Sequence, residues 1–318
     1  MSENPSPVRV SRHTPWWGCL GLVAIVAAGC GAEPDARGEP PARTATTGRA
    51  PAQPALCGDL RPRVLGRVEA AAATELSGLV LSRSQRGVLW THNDSGDSPR
   101  VLAVGLDGRL LADVAVTGAE AFDWEDIAAS RDALYIGDIG DNVPQRDSIV
   151  VYRIPEPRVR DGASQASAPA ARIELRYPDG RRDAEALLRD PVSGALVIVS
   201  KSFTRRAGIY VASKPVPGTT TTMRRAGNLR LGVGEAVTAG DVSADGRTIV
   251  LRTYTSAFVW RRARGERVAA ALKRRPCTAG TELFGEGQGE ALAVAADGRS
   301  FYTVPEGTTP AIRRYAPG

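Results

Sequence analysis

From about residue 60 onward, the chain is made of short runs rich in Val, Leu, Ile and Tyr, separated by polar turns such as Asp-Gly and Ser-Gly. Short apolar runs bounded by such turns are typical of β-strands and hairpins. Apolar residues at helical spacing are nearly absent from the same region. The pattern therefore predicts an all-β fold.

One unit recurs along this region: an acidic residue, a short apolar strand, a polar turn and a second apolar strand. The acids are Glu75, Glu125, Glu185, Asp241 and Glu290, at intervals of 50, 60, 56 and 49 residues. Such a period, with several strands per unit, is typical of a β-propeller. Five units predict five blades, and the 60-residue interval leaves room for a sixth. A β-sandwich would explain the strands but not the repeated acids.

The last unit has residues for a third strand, AIRRYA, but none for a fourth. Residues 62–69 (RPRVLGRV) offer a spare strand before the first unit. We expect this N-terminal strand to join the last blade and close the ring.

The first 29 residues have the layout of a signal peptide: Arg9 and Arg12 precede an apolar run over 16–28. This run of 13 residues is shorter than the roughly 20 needed to cross a bilayer as a helix, so a permanent anchor is the weaker interpretation. Its end, Ala-Ala-Gly followed by Cys30, resembles the lipobox of bacterial lipoproteins. We expect export and a lipid anchor to the cell membrane or envelope at Cys30, with plain secretion as the alternative.

Residues 30–56 are rich in Pro and Ala and nearly free of large apolar residues. Such a segment cannot bury enough surface to fold, which predicts a disordered tether ahead of a propeller domain over 57–318. Cys19 leaves with the signal peptide and Cys30 carries the lipid, so Cys57 and Cys277 remain as a pair in an oxidising compartment. We predict a disulfide between them, with two free thiols as the alternative.

Charge and histidine content exclude some functions. The 41 basic residues exceed the 35 acidic ones, but they form no basic stripe with interleaved aromatics, so no nucleic-acid partner is predicted. The chain has only two histidines, one of them in the signal peptide, which excludes a multi-histidine zinc site in the mature protein. We expect a monomer.

The first strand of each propeller blade lines the central channel, so the five repeated acids should converge there. Two like charges about 6 Å apart repel by roughly 3 kcal/mol at an effective dielectric near 20, so a cation, protonation or basic side chains must compensate. The second strands end in more polar residues. These are Asn93, Asp94, Asp138, Asp141, Asn142, Lys201, Arg252, Tyr254 and Glu306.

Such an oxygen-rich set suits calcium. The predicted calcium ligands are Glu75, Asn93, Glu125, Asp138, Asp141, Asn142, Glu185, Asp241 and Glu290. Lys201, Arg252 and Glu306 are predicted to contact a ligand. In the alternative interpretation Lys201 and Arg252 pair with the acids, and the Asp-Gly and Asp-Asn runs are Asx turns.

The segment THNDSGD over 91–97 is the densest in reactive groups. His92 and Asp94 are the candidate catalytic residues, because an imidazole beside a carboxylate can act as a general base. The alternative is a strand end followed by a polar turn.

The strings LWTHNDSGD, DWEDIA, YIGDIGDN and DAEALL, with a late GEALA, resemble a family of secreted and lipid-anchored bacterial propellers. That family is similar to gluconolactonase-like, NHL-repeat and phytase-esterase-like propellers, and the resemblance covers about 70–310. Gluconolactonase-like members hold a funnel cation with Glu and Asn side chains, which implies Glu75, Glu125, Asn93 and Asn142 here. Those members have six blades.

The sequence thus predicts an envelope protein whose acidic, calcium-binding funnel binds a small molecule, glycan or protein. The alternative is a calcium-assisted hydrolase of an ester, lactone or phosphoester. No Gly-x-Ser-x-Gly string is present and no cysteine is left over, so such a hydrolase would depend on an activated water.

Overall fold

The computed structural model describes residues 54–159, 165–281 and 283–318. The predicted signal peptide, the lipidation site Cys30 and nearly all of the predicted tether lie outside these residues. Within them, no helix combines the length and the apolar character that a membrane crossing requires.

The described chain is a five-bladed β-propeller, in which each blade is a small sheet. Strand β1 (Leu60–Arg67) precedes the first blade. Blade 1 contains β2 (Leu76–Leu81), β3 (Val88–Asn93), β4 (Arg100–Gly105) and β5 (Leu110–Thr117). Blade 2 contains β6 (Trp124–Ala129), β7 (Ala133–Asp138), β8 (Ile149–Pro155) and, after β9 (Gln165–Pro169), β10 (Ala171–Arg176). Blade 3 contains β11 (Ala184–Arg189), β12 (Leu196–Ser200), β13 (Gly208–Ala212) and, after β14 (Thr220–Thr222), β15 (Arg224–Asn228).

Blade 4 contains β16 (Val237–Val242), β17 (Thr248–Thr253), β18 (Ala257–Arg261) and β19 (Cys277–Thr278). Blade 5 contains β20 (Ala291–Val294), β21 (Phe301–Val304) and β22 (Ala311–Pro317). Helical segments are short: α1 (Val268–Leu272) and two 3-10 turns at Ala55–Cys57 and Phe284–Glu286.

The first strand of every blade lies at the centre of the ring. Each of β2, β6, β11, β16 and β20 contacts the first strands of the two neighbouring blades. These inner strands are buried along almost their whole length, whereas the outer strand β5 alternates between buried and exposed residues. Burial on both faces explains why apolar and polar residues do not alternate along the inner strands.

The predicted closure of the ring is confirmed. Strand β1 pairs antiparallel with β22, from Leu60 opposite Pro317 to Arg67 opposite Ala311, and so becomes the fourth strand of blade 5. The predicted disulfide is confirmed as well, because Cys57, just before β1, is bonded to Cys277 in β19. The disulfide therefore links the closing N-terminal segment to the outermost strand of blade 4.

The two longest intervals between the repeated units contain additional strands. Strand β9 pairs in parallel with β5 of blade 1, and β14 pairs in parallel with β10 of blade 2. Each therefore adds a fifth strand to the outer edge of the preceding blade. The described residues thus form five blades, and the extra length of the 60-residue interval makes no sixth one.

Five hydrophobic clusters in the described part of the chain hold the blades together, one at each interface between neighbouring blades. Trp90 and Trp124 pack between blades 1 and 2, and Trp260 packs between blades 3 and 4. Because interiors are closely packed, five such interfaces fix the inner strands relative to one another. Side chains at the ends of these strands are therefore held on a rigid frame.

Candidate metal centre at one mouth of the channel

A one-residue β-bulge interrupts the pairing of the first and second strands in four blades. The bulged residues are Gly78, Glu125, Glu185 and Thr238. A bulge leaves its residue unpaired and re-aims its side chain, and bulges are frequent beside functional sites. In blades 2 and 3 the re-aimed side chain is a carboxylate near the start of an inner strand.

Seven carboxylates, which we call the acidic ring, gather at this mouth of the channel. They form three groups, and within each group one oxygen from every residue lies within 4.8 Å of the others. The groups are Asp94, Glu290 and Glu306; Asp94, Asp123 and Glu125; and Glu125, Asp183 and Glu185. Since Asp94 and Glu125 each belong to two groups, the seven acids form one continuous cluster contributed by four blades.

Two further side chains connect the ends of the acidic ring. Lys201 Nζ donates a hydrogen bond to Glu185 Oε1. The Tyr254 hydroxyl, from blade 4, donates to Glu290 Oε1 at 2.8 Å. Lys201 Nζ lies 5.6 Å from the centroid of the Tyr254 ring. Every blade thus contributes a polar group, and the ammonium of Lys201 neutralises one of the seven carboxylates directly.

The crowded carboxylates hold protons more tightly than usual. Burial raises the pKa of Glu185 to about 8, although Lys201 opposes the rise. Burial, a hydrogen bond to Glu290 and the charge of Glu290 raise the pKa of Glu306 to about 8. The pKa of Asp123 is raised to about 6 by burial and by Asp94, and that of Glu125 lies well above its usual value, chiefly because of burial. Ionising the whole ring is therefore unfavourable without added positive charge.

One oxygen of the acidic ring lacks a partner. Glu185 is 2% exposed, and its Oε2 is buried and makes no hydrogen bond within the described residues. An unsatisfied buried acceptor costs about 1–3 kcal/mol. The group Glu125, Asp183 and Glu185 offers only carboxylate oxygens, the donors that calcium prefers. A divalent cation bound there would give Oε2 its missing partner.

The structure brings together six of the residues that the sequence singled out: Asp94, Glu125, Glu185, Lys201, Glu290 and Glu306. Two predicted ligands, Glu75 and Asn93, line a shallow pocket of about 320 Å³, and the backbone of Glu75 bonds that of Asp94. Asn93 Oδ1 accepts hydrogen bonds from the backbone N–H groups of Thr74 and Glu75, at 3.2 and 3.3 Å. Asn93 therefore holds the segment before β2 in place.

Asp241 is not at this mouth. It is the fifth residue of β16, and Thr238 occupies the bulge position that Glu125 and Glu185 hold in their blades. Asp241 Oδ2 accepts the Val294 N–H at 2.8 Å, and Oδ1 accepts a hydrogen bond from Arg83 at 2.9 Å. Asp241 therefore ties blade 4 to blades 5 and 1 further along the channel.

Three predicted ligands lie in or beside the loop that follows β7. Asp138 Oδ1 accepts a hydrogen bond from Arg146 Nη1 at 2.8 Å, and burial raises the pKa of Asp138. Asp141 accepts the backbone N–H groups of Gln145 and Arg146, while its own N–H donates to Asp183 Oδ1 at 3.0 Å. Asn142 is exposed. These side chains shape the loop beside the acidic ring and stand outside its three groups.

His92 is buried and does not reach the surface of the acidic ring. Its side chain is 0% exposed, its Nδ1 lies 2.9 Å from the Asn93 carbonyl oxygen, and its ring meets Trp124 edge-on at 5.5 Å. A Cβ at Gly78, whose φ is +68°, would lie 2.7 Å from His92 Nε2. Burial lowers the pKa of His92 to about 4, so the imidazole is neutral at pH 7. It presents no surface to a substrate.

Arg252 also lies beneath the surface. It is 0% exposed, and its Nη1 bonds Glu286 Oε2 at 3.3 Å and the Ala291 carbonyl oxygen at 3.1 Å. The guanidinium packs against Gly289, where a Cβ would lie only 1.9 Å from Nη2. The partner of Arg252 is thus Glu286, a residue that the sequence pattern did not single out.

Tyr254, which the sequence placed among the polar residues at the ends of the second strands, does lie at the ring. Sequence reasoning missed Asp123 and Asp183. Both have a signal in the sequence, since each stands two residues before a ring glutamate, as Asp123-Trp-Glu125 and Asp183-Ala-Glu185. Residues two apart on an extended chain point the same way, so each pair favours one shared carboxylate site.

No protein-family model matches the chain, and no curated protein matches it either. The fold and the geometry of the acidic ring are therefore the basis for assigning a function.

Proposed function

We propose that the acidic ring binds a divalent cation, calcium, and that the protein uses this mouth of the channel to bind an oxygen-bearing ligand. The observation that carries the proposal is the Oε2 atom of Glu185, which is buried in a group of three carboxylates and has no hydrogen-bond partner among the described residues. The cation would lie among Glu125, Asp183 and Glu185. Their oxygen-only donor set and irregular spacing suit calcium better than metals that prefer nitrogen or sulfur ligands.

The charge balance of the ring supports the same conclusion. Seven carboxylates share this mouth, and Lys201 pairs with one of them. The ion-pair interpretation of the sequence therefore accounts for only part of the negative charge. Arg252, its other proposed cation, pairs with Glu286 instead. A divalent cation supplies the compensation that neither basic residue provides.

A binding role agrees best with the surroundings of the ring. Calcium takes roughly six to eight oxygen ligands, so positions left by the protein could hold a hydroxyl, carboxylate or phosphoryl oxygen of a small molecule, glycan or protein. Hydrolysis is the second candidate, favoured by Asp94, a half-buried member of two groups whose pKa is raised by burial. A screen of lactone, aryl-ester and phosphoester substrates distinguishes the two roles.

The resemblance to gluconolactonase-like propellers, which hold a cation in the funnel, adds support for the metal. The proposed location rests on the signal peptide and the lipobox-like segment ending at Cys30. We propose that the protein is exported and held at the cell membrane or envelope by a lipid on Cys30.

Replacing Cys30 with Ala is expected to move the protein from the membrane fraction to the soluble exported fraction, since a single Cys carries the anchor. Cell fractionation followed by immunoblotting measures the change, with Cys19→Ala as the matched control. If the Cys30 variant stays membrane-bound, the apolar run itself is the anchor.

Removing calcium is expected to lower the melting temperature. A ligand at 100 times its Kd stabilises the native state by about 2.7 kcal/mol, which corresponds to roughly 5–10 °C for a protein of this size. Thermal melts in EDTA and after addition of calcium measure the shift. Glu185→Gln should reduce it strongly, because it removes one negative charge from the site. Asp297→Asn, at an exposed turn, should leave it unchanged.

The ion-pair interpretation leads to a different result. It expects EDTA to have no effect, and it expects Lys201→Met to lower the melting temperature by leaving Glu185 buried without its cation. Finding both results together would rule out the calcium site.

A further inference from the structure

The end of the channel opposite the acidic ring is basic. A pocket of about 450 Å³ opens there, lined by the turns that follow the inner strands β2, β6, β11 and β16. Three arginines line it: Arg83, Arg131 and Arg189. Four blades contribute to this pocket, which we call the basic mouth.

Hydrogen bonds hold Arg83 in place at the basic mouth, and they leave one of its nitrogens unused. Its Nη2 donates to Asp241 Oδ1 at 2.9 Å and to the Val242 carbonyl oxygen. The side chain is 10% exposed, and Nη1 is buried with no hydrogen-bond partner in the described part of the chain. The contact with Asp241 fixes the guanidinium, so Nη1 is a preorganised donor.

Arg189 shows the same combination of a fixed guanidinium and an unused donor. Its Cζ lies 5.3 Å from the centroid of the Tyr135 ring, and its Nε is buried without a hydrogen-bond partner among the residues described. A cation over an aromatic face is held by the ring quadrupole. The stacking therefore orients Arg189 while its Nε lacks an acceptor among the described residues.

The carboxylate beside these arginines is engaged by other groups. Asp132 Oδ1 accepts a hydrogen bond from the Ser130 hydroxyl at 2.8 Å, and Oδ2 accepts one from Arg153 at 3.2 Å. Neither Arg131 nor Arg189 forms an ion pair within residues 54–159, 165–281 and 283–318, and Arg131 is exposed. A hydrogen bond from Ser130 and the charges of Arg153 and Arg189 lower the pKa of Asp132, so this carboxylate offsets part of the charge of Arg189. Arg131 and Arg189 together still outnumber it, and the basic mouth retains net positive charge.

We propose that the basic mouth binds a tetrahedral oxyanion, either a phosphoryl or a sulfate group. Guanidinium groups recognise such oxygens through paired N–H donors, and arginine is the preferred residue for this purpose. The buried Nη1 of Arg83 and Nε of Arg189 would gain the acceptors they lack. This site is separate from the acidic ring and does not rest on the proposed calcium site.

Titration of inorganic phosphate into the full chain tests the proposal. Isothermal calorimetry is carried out in EDTA at constant ionic strength, so that calcium takes no part. The double variant Arg131→Met/Arg189→Met should bind phosphate at least tenfold more weakly than the native chain. Arg83 is left unchanged because it also holds Asp241. Glycerol 3-phosphate, titrated in parallel, distinguishes a free anion from an ester: tighter binding of the ester indicates a phosphorylated ligand.

A second arginine-lined pocket supplies the matched control. Arg205, Arg230 and Arg275 line it against the outer strands of blades 3 and 4. Arg205→Met/Arg230→Met removes the same charge and should keep phosphate affinity within about twofold of the native value. An equal loss in this control, or no phosphate binding by the native chain, would overturn the proposal.

Discussion

Replacing Asp126 with Ala is expected to lower the free energy of unfolding by at least about 3 kcal/mol. Asp126 is 0% exposed and joins three blades through backbone N–H groups. Its Oδ2 accepts those of Leu187 at 2.8 Å and Gly240 at 3.2 Å, and its Oδ1 accepts that of Ile127 at 2.9 Å. Truncation leaves three buried donors unsatisfied, at about 1–3 kcal/mol each.

Urea denaturation measures this loss. Asp126→Asn should lose less stability than Asp126→Ala. The amide oxygen still accepts hydrogen bonds, but the amide NH2 group that replaces the other oxygen faces a backbone N–H, which is also a donor. Asp297→Ala, on an exposed turn where the side chain accepts a single hydrogen bond within the described part of the chain, from the Arg299 N–H, should cost less than about 1 kcal/mol. An Asp126→Ala protein as stable as this control would show that the three contacts do not hold the channel together.

In EDTA, the melting temperature is expected to fall as the pH rises from about 4.5 to about 8. The pKa of Glu185 and that of Glu306 are both raised from 4.5 to about 8, and that of Asp123 from 3.8 to about 6. Between these values the folded protein binds more protons than the unfolded chain at these three carboxylates. They outweigh His92, which binds a proton only in the unfolded chain over this range, because its pKa is lowered from 6.5 to about 4 in the folded protein. Stability that depends on such protons is complete below the unfolded pKa and is lost as the pH rises through the folded one.

A unit of pKa shift corresponds to about 1.4 kcal/mol at a fully buried group. Asp123 and Glu306 are only half-buried, so solvent screens much of their contribution, and the loss over this range is on the order of a few kcal/mol. Calcium should reverse it, because it replaces the protons and binds more tightly as they leave. Glu185→Gln should flatten the dependence in EDTA. A melting temperature that rises with pH in EDTA would contradict this prediction. It would show that the ionised carboxylates stabilise the folded protein and that the bound protons do not.

The propeller could be predicted from the sequence because the residues that repeat are the ones that form the strands and turns of each blade. The inner strands are buried on both faces and follow acidic or turn residues at a regular interval. The strand that became β1 had no partner in the first unit, so pairing with the last blade was the remaining choice. The strands β9 and β14 could not be assigned in the same way. Each of them pairs with the outer strand of the preceding blade. No local sequence pattern identifies a pairing partner at that distance along the chain.

The candidate site was predictable only in part, because its geometry depends on the β-bulges. Spacing alone grouped Asp241 with Glu125 and Glu185, yet the bulge position of blade 4 holds Thr238. The one-residue bulges at Glu125 and Glu185 depend on the register in which the inner strands pair with the second strands. That register cannot be read from the sequence. The burial of His92 likewise results from contact with Trp124 of the next blade.

Calcium titration by isothermal calorimetry, with the metal-free protein at pH 7.5, tests the calcium site most directly. We predict saturable binding of at least one calcium ion per chain, with release of protons that appears as a buffer-dependent heat. We also predict that Glu125→Gln/Glu185→Gln abolishes this binding, while Asp297→Asn retains it. Absence of binding to the native protein, or unchanged binding by the double variant, would contradict a calcium site in the acidic ring.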